Sequence, residues 1–325
     1  MSTTTTTTPP SPPTWPIRKY TPRHPSWPYT PQDFTRHDPS ADSSFYASPR
    51  FVTHIDDAAI ASLRQYYAHV LPPSPQPTGG EREVGPPKKR ILDLCSSWTS
   101  HFPSQVVDGV KDGRVEVWGL GMNARELERN PVFQGPGKGR WWGVWDLNSE
   151  GKGGGDVGVA LGGTILNKVR GAGEEEEEEV RTPSLPLSAE QGDEPLLDAT
   201  TCVVSTDYLT QPLTVFSSLL RLTKPGGSVH LTVSNRCFPT KAVARWLQVD
   251  EEERLQMVGD YLFFAGWKRI EIVELSDGRV RGGDDGGEEQ QGGGGADGGL
   301  GAFMRALGMD AARRDPLWVV RGVKE

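Results

Sequence analysis

The stretch from Arg221 to Asn235 constrains this chain more than any other. An amphipathic helix carrying Leu213, Phe216, Leu219, Leu220 and Leu222 runs into Lys224-Pro225-Gly226-Gly227, and a strand alternating Val229, Leu231 and Val233 follows. Proline cannot continue a helix, and glycine reaches the positive φ at which the chain can reverse. One helix–turn–strand crossover sets a register from which further strands can be sought upstream.

Those strands occur in order. Arg90–Cys95, Val115–Leu120, Trp141–Asp146 and Thr200–Ser205 precede the crossover strand, and Trp267–Glu274 and Pro316–Val323 follow it. Helical spacing separates them. Ile60, Leu63, Tyr66, Tyr67 and Val70 recur on one helix face before the first strand, and Asn123 with Glu126 three residues on has capping-box spacing. Strands alternating with helices predict an α/β fold, a doubly wound seven-stranded and mainly parallel sheet.

Composition explains why so long a chain needs only one such domain. Residues 1–40 open with Thr3–Thr8 and continue through proline-rich segments, so they are expected to form a disordered arm. Residues 41–325 would be the folded domain, interrupted by low-complexity insertions at about 149–197 and 276–314, the first carrying Glu174–Glu179 and the second Gly292–Gly295. The net charge of −8 belongs to those insertions. Residues 149–197 hold eleven acids against four bases, and 276–300 six against two, so the remainder has a small positive balance. That leaves no basic stripe for nucleic acid. No apolar run approaches the roughly 20 residues that span a bilayer, so a soluble, cytoplasmic protein is expected. Arg18, Lys19 and Arg23 precede the first acid, Asp33, which leaves organelle targeting as the alternative. Cys95, Cys202 and Cys237 have no CxxC spacing and signal neither disulfides nor a metal site.

The strand order with its Lys-Pro-Gly-Gly turn resembles the class I S-adenosylmethionine (SAM) dependent methyltransferases, nearest to the type 11-like members. The resemblance covers about residues 90–148, 198–275 and 315–323, and it implies that the last strand is antiparallel. It also implies SAM as cofactor, bound outside the carboxyl ends of strands one to four. Carried over by position, the cofactor-binding candidates are Asp93, Cys95 and Ser96 after strand one, and Gly121 and Asn123 after strand two. Asp146 and Leu147 follow strand three, and Ser205 follows strand four. The glycine-rich motif is degenerate: Cys95, Ser97 and Thr99 stand where the family has glycines, and Gly121 stands where it has the ribose-binding acid. Asp207 and Tyr208, after strand four, are the candidate catalytic pair on the substrate side.

Each candidate also has a structural reading. Asp93 and the serines beside it could satisfy turn amides, Asp146 could cap a helix, and Asp207 could cap the helix beginning near Pro212. His54 and His101 are candidate bases, His230 belongs on a sheet face, and Asn235-Arg236 ends the crossover strand at the cleft. Rival nucleotide folds fare worse, since Leu94–Phe102 contains no glycine and no P-loop is present. Two functions therefore compete. One is methyl transfer to a small-molecule acceptor; the other is a non-catalytic binding or scaffold module on the same fold.

Overall fold

The Lys224-Pro225-Gly226-Gly227 turn expected between helix and strand lies within the strand itself. The amphipathic helix Pro212–Leu222 (α6) passes directly into the strand Thr223–Ser234 (β8). On the neighbouring strand Leu197–Val203 (β7), Leu197 and Ala199 pair with Thr223 and Ser228, so Lys224–Gly227 loops out of the ladder. Gly226 takes φ +79 there, while Gly227 packs so closely that a Cβ would lie 2.6 Å from Thr223.

A computed structural model of the protein describes residues 14–72, 88–133, 141–149, 154–162, 166–168, 179–181, 196–279 and 314–325. The other six expected strands are present as Lys89–Ser96 (β2), Val115–Gly121 (β3), Trp142–Val144 (β4), β7, Lys268–Ser276 (β9) and Leu317–Val323 (β10). β7 begins and ends a few residues earlier than expected, which leaves Ser205 beyond its end. An eighth strand, Ile17–Lys19 (β1), adds to the edge. The sheet order is β1-β9-β10-β8-β7-β2-β3-β4. β4, β3, β2, β7 and β8 pair in parallel, and β10 runs antiparallel to both β8 and β9. The antiparallel final strand is the one the methyltransferase resemblance implies. A separate hairpin pairs Leu166–Lys168 (β5) with Glu179–Arg181 (β6).

Helices cover both faces. Asp57–Val70 (α2), capped by Asp56 accepting from Ala59 N at 2.7 Å, buries Leu63, Tyr66 and Tyr67 on one face with Ser104–Lys111 (α3) and Ala124–Arg129 (α4). α6 and Glu251–Phe264 (α8) cover the other face, where Leu92, Leu94, Val229, Leu231 and Val233 meet Phe216, Leu219 and Tyr261. His230 points to the α2 face and bridges Tyr66 and Ser228, each at 2.9 Å, so it is a sheet-face residue as expected. The remaining short helices are Asp42–Phe45 (α1), Val157–Gly162 (α5) and Ala244–Gln248 (α7). No helix among the described residues is long and apolar enough to cross a membrane.

Two expectations are corrected. The N-terminal arm is not loose from residue 14 onward. β1 pairs with β9, and Tyr20 is buried with its hydroxyl donating to Asp260. Tyr29 at 2.6 Å and Arg23 at 3.2 Å complete that carboxylate's shell. Charge and aromatic area decide it: Asp260 is fully buried and needs donors, which among the described residues the arm brings. Tyr20→Phe should accordingly cost about 1.5–3 kcal/mol of stability, the range for a hydrogen bond to a charged group, read by urea denaturation. A parental midpoint would mean that the arm does not carry Asp260. Nor is 149–197 all insertion, because Val157, Ala160 and Leu161 of α5 are buried against α6. Most of both expected insertions lies outside the described residues.

Candidate active site

In a doubly wound sheet the crevice opens where the strand order reverses, here between β2 and β7. Backbone strain marks the place. Among the described residues four non-glycines have positive φ, and three of them stand at this end of the sheet: Cys95 (φ 54), His101 (φ 53) and Val204 (φ 42). A β-branched residue in that region is an outlier, of a kind that persists where surrounding structure over-determines it.

A cavity of about 440 Å³ opens there, and Asp93, Cys95, Ser96, Gly121, Asn123, Asp146, Leu147, Ser205 and Tyr208 all line it. Nine of the ten residues expected from the sequence therefore meet around one space. Asp207 does not line it. That carboxyl is buried, its Oδ2 has no partner among the described residues, and burial raises its pKa to about 8. The short 3-10 turn Thr206–Tyr208 rotates Asp207 inward and Tyr208 toward the cavity. The catalytic assignment of Asp207 falls for that reason.

The lining residues are not equally free. Asp93 accepts from Ser96 Oγ at 2.5 Å and Thr201 Oγ1 at 2.8 Å, tying the β2 turn to β7. Burial outweighs those bonds and lifts its pKa to about 6. Cys95 bulges out of the ladder, because Leu94 pairs with Leu120 and Ser96 with Gly121, with a register shift between. The bulge brings Ser96 O against Gly121, where a Cβ would meet it at 2.1 Å. Asn123 caps α4 by accepting from Glu126 N at 3.2 Å and donates to Tyr46 O at 2.7 Å and Ala47 O at 3.2 Å. Its polar groups are spent on structure. Asp146 is half-buried and accepts from Asn148 N at 2.8 Å, with burial raising its pKa. Ser205 Oγ donates to Val203 O, and the Tyr208 hydroxyl accepts from Phe238 N, at 2.9 and 2.8 Å.

Sequence reasoning missed two parts of the lining. One is Glu126, buried, whose Oε1 accepts from Arg50 N and Oε2 from Ser97 Oγ, both at 2.6 Å. Its capping-box spacing was visible, but the carboxylate turns to the cavity instead of closing the box. The other is the segment from Asp42 to Ile55, which crosses the cavity as a strap. Asn148 Nδ2 donates to Asp42 Oδ2 at 2.8 Å, and Trp98 Nε1 donates to Val52 O at 3.0 Å. Asp42 is clamped by Arg36 at 2.7 Å and by the fully buried Lys241 at 3.3 Å. No local pattern announces such a strap, since its partners lie on distant strand ends.

Both candidate bases face the cavity. Burial lowers the His101 pKa to about 4 and depresses that of His54, so both rings are neutral at pH 7 and resist protonation there. Arg236 also lines the cavity but is paired with Asp315 at 2.7 Å, whereas Asn235 is exposed. Among the described residues no group of histidine, cysteine and carboxylate side chains could hold a metal ion.

No protein-family model matches the chain, and no curated protein matches it. Solved structures with a similar arrangement include a complex between the Haloferax volcanii Trm112 methyltransferase activator and a methyltransferase. There the identity is 11%, the match covers 87% of this chain and 92% of that one, and the TM-score is 0.40. Haemonchus contortus phosphoethanolamine N-methyltransferase 2 in complex with S-adenosyl-L-methionine is 12% identical over 88% of this chain and 60% of its own, with TM-score 0.39. A SAM-dependent methyltransferase from Archaeoglobus fulgidus is 11% identical over 73% of this chain and 86% of its own, with TM-score 0.36. Every one of these scores is below 0.5, so the reading of the site rests on its own geometry.

Proposed function

We propose that this protein is a SAM-dependent methyltransferase acting on a small-molecule acceptor. The observation that carries the reading is the cavity at the β2/β7 switch point, bordered by Cys95 and Val204 at positive φ and holding separate carboxylates at its ends. A cavity of this size is in the range that small ligands occupy. The donor set fits the cofactor. Asp146, half-buried and with one oxygen uncommitted to the Asn148 turn, would accept from an adenine amino group while Leu147 packs the ring. Glu126 would accept from ribose hydroxyls, in place of an acid at Gly121, because each of its oxygens has lone-pair capacity beyond its hydrogen bond to the Arg50 amide or to Ser97. Asp93, Cys95 and Ser96 set the turn beside which the methionine end would lie, and Ser205 closes the β7 side.

When bound, SAM supplies a methyl on a sulfonium that an acceptor O, N, S or carbon atom takes by in-line displacement. The protein's part is orientation and exclusion of water. Tyr208 stands on the acceptor side, held by Phe238 N. His54 and His101, each neutral and made a weak base by burial, would accept a hydrogen bond from the acceptor's O–H or N–H and orient it, the proton leaving to solvent after transfer. The second reading, a non-catalytic binding module, is favoured by one observation: Asn123 spends its polar groups on the strap and the cap.

Titration calorimetry with S-adenosylhomocysteine tests the cofactor site, and methyl release from labelled SAM over an acceptor panel separates the two readings. Asp146→Ala should weaken S-adenosylhomocysteine binding by about 1–3 kcal/mol, for one lost hydrogen bond to a charged group, at a parental melting temperature. Absence of binding to the parent at millimolar ligand would sink the proposal.

A further inference from the structure

Among the described residues the cavity contains one arginine that no carboxylate pairs with. Arg50 sits on the strap with its guanidinium carbon 4.6 Å from the Phe45 ring centroid, 5.5 Å from Phe238 and 5.8 Å from Tyr46. Three rings fix its place. Nη2 donates to Phe45 O at 3.1 Å, while Nη1 is buried without a partner among the described residues. No described carboxylate forms an ion pair with it. None of the carboxylates that share the cavity pairs with this guanidinium: Asp42 is held by Arg36 and Lys241, Asp93 by hydroxyls, Asp146 takes Asn148 N on one oxygen, and Glu126 takes Ser97 and the Arg50 amide. The cavity's other arginine, Arg236, has Asp315.

A guanidinium left with an unpaired terminal nitrogen in a largely apolar wall is poorly solvated and gains from an anion far more than it would in water. We infer that Arg50 is the anchor of an oxyanion subsite in this cavity, taking a carboxylate or phosphate of the bound ligand between the strap and the ends of β2 and β8. The inference rests on the methyltransferase reading for the identity of the cavity. Two ligands could bring the group: the cofactor, through its amino-acid carboxylate, or an acidic acceptor. The Phe45, Tyr46 and Phe238 rings around Arg50 suit a flat apolar body attached to the anion in the second case.

Calorimetry on the full-length chain separates the sources. The parent, Arg50→Met and Arg50→Lys are titrated with S-adenosylhomocysteine, with 5′-methylthioadenosine, which lacks the amino-acid portion, and with benzoate and inorganic phosphate. Arg50→Met should bind at least one of the anionic probes about tenfold or more weakly than the parent, with Arg50→Lys in between, while 5′-methylthioadenosine is unaffected. A loss confined to S-adenosylhomocysteine assigns the subsite to the cofactor; a loss confined to benzoate or phosphate assigns it to the acceptor. If Arg50→Met does not fold, Arg50→Lys and the salt dependence of the parent carry the test. An oxyanion ligand must then weaken from 20 to 200 mM salt while 5′-methylthioadenosine holds. Equal binding of all four probes by parent and folded variants overturns the subsite and leaves the cofactor reading standing. A parent that binds benzoate or phosphate through Arg50 but neither nucleoside removes the cofactor reading and keeps the subsite.

Discussion

Gly121→Asp, which introduces the acid that the methyltransferase resemblance implies at the end of the second strand, is expected to destroy the site. The first atom of any side chain at 121 would lie 2.1 Å from Ser96 O and 3.1 Å from Leu127 Cδ2. The nearer contact is backbone, so no rotamer change relieves it. β2 and β3 would have to separate where they frame the cavity, and a carboxylate would be forced against a carbonyl oxygen. Overpacking together with an unpaired buried charge should cost at least about 4 kcal/mol, a fall in melting temperature on the order of 10 °C. Gly121→Ala, which adds only the Cβ, should lose a smaller part of that and weaken S-adenosylhomocysteine binding. A Gly121→Ala protein that melts with the parent would show that β2 and β3 are not held at this separation.

The second large effect is a gain. Asp207→Asn should stabilise the protein near neutral pH. Burial raises the Asp207 pKa from 3.8 to about 8, so between those values the folded state holds a proton that the unfolded state has released. Stability from this group is therefore fully present below about pH 4, is lost as pH rises, and levels off above about pH 8. Each pH unit in that window is worth up to about 1.4 kcal/mol. Asparagine removes the titration, so at pH 8 the variant should exceed the parent by about 5 kcal/mol, with the difference vanishing toward pH 4. Urea midpoints of both proteins across pH 4–8 measure it. A constant difference would mean that Asp207 does not carry its proton into the fold. The same variant should bind S-adenosylhomocysteine like the parent, because Asp207 lies outside the cavity lining.

These two residues mark where reading the chain succeeded and where it failed. The crossover at Lys224–Gly227 and the alternation of Val229, Leu231 and Val233 were legible because helix and strand periodicity are local properties. From them followed the seven strands in their order along the chain, and the resemblance that this order carries implied the crevice around which nine of ten expected residues meet. Asp207 was misread because a single 3-10 turn decides whether it or Tyr208 faces the cavity. Adjacent residues on a turn have no period to betray their directions. The arm from residue 14 was misread because its proline-rich composition says nothing about Asp260, 240 positions from Tyr20, which draws it in.

The degenerate motif shows the division most clearly. The sequence by itself placed Cys95 after the first strand and Gly121 after the second, where the resemblance implies a glycine and an acid, as two separate departures. Only the tertiary structure makes them one. Cys95 takes φ 54 and bulges, Ser96 O closes on position 121, and glycine is the residue that fits there. The carboxylate at that edge of the cavity is then Glu126, on the next helix, aimed by Ser97 and by the Arg50 amide of the strap. Local patterns set which elements form, since they follow from backbone periodicity and turn chemistry. Which side chains converge depends on contacts between residues far apart in the chain, and those exist only once the sheet has closed around them.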